Sequence, residues 1–187
     1  MKKVILMSAL LAAFACAALP AAASSLSDIS NYRDYTTTYS SSGQPSAEQL
    51  ELLQAEGFER IIYLALTTST TALAKEDEIV KGLGMEYIHV AVDFDNPTAS
   101  DFYTFVAVMQ REPDKKTLLH CQVNFRASSF SFLYRVLYQD VPMDDAKVDL
   151  DTVWAPNETW QNLIFSILQE NGRSPDCDFC SWDIGNQ

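Results

Sequence analysis

The sequence predicts a single α/β domain, with a mainly parallel central sheet of about four to five strands flanked by helices. Three observations predict it. Short runs rich in branched and aromatic residues recur along the chain, at Arg60 to Leu66, Glu86 to Val92 and Lys116 to His120. Each is preceded by a segment with helix start and stop signals. The segment Ser128 to Gln139 is apolar almost all round, as a helix buried in a core would be. Strands that alternate with helices imply parallel pairing, with both faces of the sheet covered.

The elements follow in order. Residues 1–23 read as a signal peptide, with Lys2 and Lys3 before an apolar run from Val4 to Leu19 and small residues at Pro20 to Ala23. A cut after Ala23 would make the protein periplasmic or secreted. Cys16 sits in a poor context for a lipid anchor, and no other stretch approaches the ~20 apolar residues that span a bilayer. No membrane insertion is expected after cleavage. A polar N-terminal segment (24–40) then leads into the domain proper (41–172) and a tail (173–187). Ser46-Ala47-Glu48-Gln49 is a capping box for a helix to about Glu56, stopped by Gly57. A Thr/Ser loop (67–71) precedes a helix over about 72–83, and Gly84 ends it. His89 reads as a sheet or core histidine. Asp93 to Pro97 must be loop, because Pro97 cannot continue a ladder. Thr98 caps a helix to about Arg111, and helices over about 143–153 and 157–171 close the domain.

The formal net charge of −12, more negative still without Lys2 and Lys3, excludes nucleic acid and anionic membranes as partners. It also disfavours polyanionic substrates at long range, so a small phosphoester or a phosphoprotein with a neutral body fits better. Cys177 and Cys180 are candidates for a local disulfide in an oxidising compartment. With only His89 and His120 available, neither near that pair, no metal site and no cofactor are expected.

The chemistry concentrates in His120-Cys121-Gln122-Val123-Asn124-Phe125-Arg126-Ala127-Ser128, which reads as strand, tight loop and helix start. Such a loop turns its N–H groups inward at the positive end of a helix, forming an anion pocket from residues 122–126. A thiolate is stabilised in that setting, so Cys121 is the candidate nucleophile. Arg126 would hold two oxygens of a phosphate by forked hydrogen bonds. Asp93, with Asp95 as the alternative, would donate the proton to the leaving alcohol, because strand ends place both on the same sheet edge as Cys121. Ser128 is placed to hydrogen-bond the sulfur, and His120 to brace the loop from behind.

These residues resemble the cysteine-dependent protein tyrosine phosphatase superfamily, and in particular a bacterial phosphatase-like family related to a domain found beside some β-lactamase-fold hydrolases. The resemblance runs from Ser42-Gly43-Gln44-Pro45-Ser46 through Val92 to Thr98, the Cys121 loop and Tyr134-Arg135, to Trp154-Ala155-Pro156-Asn157 and Trp160. It implies a Cys121 phosphoenzyme, an Arg126 clamp and Asp93 as general acid. Well-studied tyrosine phosphatases place five residues, one of them Gly, between Cys and Arg. Here there are four and no Gly, so Asn124 is expected in the left-handed region. Loops of that size also occur in rhodanese-like sulfurtransferases, where the cysteine carries a persulfide. A third alternative is a non-catalytic module that holds phosphate or sulfate.

Overall fold

The structure is a computed structural model that describes residues 25–178 and 180–183. The expected leader lies outside the described residues. Strands β1 (Arg33–Thr36), β2 (Tyr39–Ser42), β3 (Arg60–Tyr63), β4 (Glu86–His89) and β5 (Thr117–His120) form one sheet in the order β1-β2-β5-β3-β4. Only β1, antiparallel to β2, departs from parallel pairing. Ser42, His120, Tyr63 and His89 stand level across the sheet, so the loops after β2, β5, β3 and β4 leave from one edge.

The helices are α1 (Ala47–Ala55), α2 (Glu76–Gly82), α3 (Ala99–Arg111), α4 (Phe125–Tyr138), α5 (Met143–Asp151) and α6 (Glu158–Glu170). Period-2 alternation divides the core. Ile61 and Leu118 face Leu50 and Leu53 of α1 and Val80 of α2. Ile62 and Leu119 face the other layer, where Phe102, Phe105, Phe130 and Trp160 of α3, α4 and α6 meet. Helix α4 is buried from Arg126 to Val136, as its all-round apolar character requires. The capping boxes at Ser46 and Thr98 are both formed.

The polar N-terminal segment is not an extension outside the domain. It supplies β1 and the first half of β2, and Tyr39-Ser40-Ser41-Ser42 is buried throughout. Three serines hide in a core because each hydroxyl is satisfied: Ser40 donates to Asp34 at 2.6 Å, Ser42 donates to the Gly43 carbonyl at 2.7 Å, and Ser41 pairs with the Tyr35 hydroxyl at 2.8 Å. Tyr39 similarly meets Ser131 of α4 at 2.6 Å. Two helices also start elsewhere than expected. Helix α2 begins at Glu76, after Lys75 in the left-handed region at φ 58°, which leaves 72–74 as loop. Helix α4 begins at Phe125 rather than Ser128, which puts Arg126 in its first turn.

The tail folds back on the domain. Trp182 packs edge-on against Phe132 and Phe165, and the buried Lys147 donates to the Ser181 carbonyl at 2.6 Å. Cys177 and Cys180 are joined by a disulfide. Among the described residues no helix is long and apolar enough to cross a membrane.

Candidate active site

Between β5 and α4 the chain makes its turn in three residues, Gln122 to Asn124. Asn124 takes φ 73°, ψ 0°, the left-handed conformation expected of it. The N-terminal segment holds this turn in place. The Asn124 side chain donates to the Asn31 carbonyl at 2.6 Å, and Asn31 returns a bond to the Val123 carbonyl at 2.9 Å. The Gln44 N–H reaches the Gln122 carbonyl at 3.0 Å. Gly43 is required at this crossing, since a Cβ there would lie 2.9 Å from both the Gln122 oxygen and the Ser30 side chain.

With the carbonyls engaged, the donors are left over. The Cys121 N–H bonds the Ser42 carbonyl at 3.3 Å, and that of Ser128 bonds Asn124 at 2.8 Å. Between them, the N–H groups of Gln122, Val123, Phe125, Arg126 and Ala127 have no protein acceptor among the described residues. A run of unpaired donors at the start of a fourteen-residue helix is a geometry that can receive an anion.

Cys121 is a free thiol, wholly buried. The sulfur is closed off from solvent and belongs to the core layer that Leu119 and Ala127 share. Arg126 is only 6 % exposed; its Nε donates to the Val92 carbonyl at 3.0 Å and its guanidinium lies 5.0 Å from the Phe94 ring. This bond ties the first turn of α4 to the segment after β4. Phe94 belongs to an aromatic wall of which sequence reasoning assigned only Phe125 to the site. Phe125 stacks on Trp154 with ring centres 4.4 Å apart, and the Trp160 indole donates to the Phe94 carbonyl at 3.0 Å.

Asp93 is exposed on the same side. Its carboxylate accepts from the Asp95 N–H at 3.0 Å and from the Asn96 amide at 3.2 Å. Those two bonds, with a smaller contribution from the Arg126 charge, hold its pKa below the usual carboxylate range. Asp95 thus gives its backbone to Asp93 while its own side chain stays exposed.

Two supporting roles come out differently. Ser128 does not bond the sulfur; as a first-turn helical residue it donates to the Phe125 carbonyl at 3.2 Å, where Ser129 joins it at 2.9 Å. His120 does not bond the loop. It is fully buried, stacks on Tyr63, and places Nε2 3.2 Å from Glu76 at the start of α2. Glu76, itself 4 % exposed, also accepts from the Gln44 side chain at 2.8 Å. It thereby links the residue before the nucleophile to the segment that clamps the loop. The Tyr63 phenol is pushed up first by burial and then by the Glu76 charge.

The family described as "DSP-PTPase phosphatase fused to NAD+ Kinase" matches residues 9–153. The chain belongs to this family of cysteine-dependent phosphatases. Among solved structures it is similar to a DUF442 protein of Shewanella putrefaciens CN-32, with 31% identity over 78% of this chain and 93% of that one, TM-score 0.70. The fold also matches the core catalytic domain of the PP-IP phosphatase SIW14 of S. cerevisiae, at 15% identity over 76% and 93% of the two chains, TM-score 0.60. It matches PTPMT1 in complex with PI(5)P at 14% identity over 75% and 96%, TM-score 0.63. Comparison with curated proteins gives no match.

Proposed function

We propose that the protein is an exported phosphomonoesterase that works through a Cys121 phosphoenzyme. The observation that carries this reading is the set of unpaired N–H groups of Gln122, Val123, Phe125, Arg126 and Ala127 around the start of α4, with Cys121 at its base and Arg126 in the same turn. The thiolate attacks phosphorus, forming S–P as P–O breaks, and Asp93 gives its proton to the departing alkoxide. Water then attacks the phosphocysteine, Asp93 takes up the proton released, and S–P breaks to return the thiolate and free phosphate. In both steps the loop N–H groups and Arg126 hold the equatorial oxygens, where charge develops.

In the free protein Asp93 is ionised at neutral pH, because its folded pKa is lowered. A bound phosphate engages Arg126 and adds its own negative charge, and both effects raise the Asp93 pKa toward what a proton donor needs. Asp93→Asn is therefore expected to slow turnover of an alkyl phosphate by about 10²-fold or more and to remove the basic limb of its kcat–pH profile. An aryl phosphate with an acidic leaving group should lose less than about tenfold. Equal losses on the two esters would remove Asp93 from this role and bring Asp95 forward. Export predicts that mass spectrometry of the periplasmic or secreted protein finds a chain beginning at Ser24.

A further inference from the structure

The loop has two flanks. Arg126, in the first turn of α4 that follows it, is tied to the Val92–Phe94 segment, and the loop's first two residues, Gln122 and Val123, face the segment after β2. On that second flank a groove of about 530 Å³ opens, bounded by Gln44 to Ser46, Gln49, residues 71–74 and the side of the loop at Gln122 and Val123. None of the residues lining it carries a charge, in a chain whose net charge is −12. Val123 is 39 % exposed, and so is Leu66 on the neighbouring loop after β3; of the large apolar side chains exposed among the described residues, only Val148 lies elsewhere.

The charges nearest the groove do not favour an anion. Ser46, at one end, donates to Glu48 at 2.8 Å, and backbone and hydroxyl hydrogen bonds keep that carboxylate ionised. Lys75, beyond Ala74 at the other end, is paired with Glu78 at 3.1 Å. Glu76 is turned inward onto His120 and Gln44. One phosphate therefore has a full set of donors in the loop, whereas none of the groove's own lining residues offers a cation to a second.

Resting on the phosphatase reading above, we infer that the substrate carries a single phosphate on a neutral, weakly polar body, and that this body lies in the groove beside Gln122 and Val123. Polyphosphorylated substrates are excluded by the same surface.

Hydroquinone monophosphate and hydroquinone bisphosphate share one ring and differ by one phosphate. The full-length protein should turn over the monoester with a kcat/KM at least about tenfold above that of the bisphosphate. Ala74→Lys and Thr71→Lys, both exposed on the groove wall, should each narrow that gap severalfold by raising kcat/KM for the bisphosphate. Calorimetry of the same pair on Cys121→Ser reads the groove without chemistry, and should show the same order of affinity. A bisphosphate that is turned over or bound as well as the monoester, or a gap indifferent to the added lysines, overturns the inference. Loss of all turnover with the affinity order intact would count against the phosphatase reading alone.

Discussion

Cys121→Ser is expected to lower turnover of an aryl phosphate by at least about 10³-fold while leaving phosphate binding in place. A thiol gives up its proton at a helix N-terminus far more readily than a hydroxyl does, and among the described residues no carboxylate or imidazole hydrogen-bonds the Cys121 sulfur to activate a serine in its stead. The binding groups are separate from the reacting one. The unpaired N–H groups belong to Gln122, Val123, Phe125, Arg126 and Ala127, and Arg126 is held by Val92. Steady-state rates on phenyl phosphate, with calorimetry of inorganic phosphate, check both halves. Activity retained within about tenfold would remove the phosphoenzyme mechanism. Loss of phosphate binding together with activity would show that the substitution had collapsed the loop.

Arg126→Lys keeps the charge yet is expected to cost about 10²–10³-fold in kcat/KM. An ammonium has no planar fork, so it cannot hold two phosphate oxygens while a third N–H stays on the Val92 carbonyl. The side chain is 6 % exposed, and a lysine there would be poorly hydrated as well as poorly paired. The Val92 carbonyl would lose its donor, a penalty of about 1–3 kcal/mol. That lowers the melting temperature by a few degrees for a domain of this size. Arg126→Met, which removes the charge that contributes to the Asp93 pKa, should also shift the basic limb of the pH profile, to higher pH as Asp93 is less depressed. A rate loss with an unchanged profile would confine Arg126 to phosphate binding.

The segment from Thr117 to Arg126 was legible because its signals are local. A buried strand, a three-residue turn and a helix start each depend on neighbours in sequence, and only Asn124 among the turn residues tolerates positive φ well. The Asp93 loop was legible for the same reason, through Pro97. The Tyr39–Ser42 strand was not. Its serines carry no apolar signal, and they are buried because the Asp34 carboxylate, the Tyr35 hydroxyl and the Gly43 carbonyl, one to six residues away, satisfy them, while Tyr39 meets Ser131 92 residues away. The start of α4 was placed three residues late because a helix N-terminus can open on Phe-Arg when the preceding Asn caps it by backbone conformation alone.

His120 and Glu76 show where local reasoning stops. Sequence neighbours suggested that His120 would brace the loop, yet the side chain that reaches it comes from a different helix, forty-four positions earlier. The aromatic wall is similar: Phe94, Phe125 and Trp154 lie far apart in sequence and meet because β4, β5 and α5 end near one another.

Sequence by itself therefore determined the alternation of strands and helices, the sheet edge on which Cys121, Arg126 and Asp93 fall, and the left-handed turn between nucleophile and helix. Only the tertiary structure decided which donors stay unpaired, what holds the loop from behind, and that the groove beside it is without charge. Backbone conformation follows from adjacent residues, whereas hydrogen-bond satisfaction and local charge are sums over everything that folding brings near.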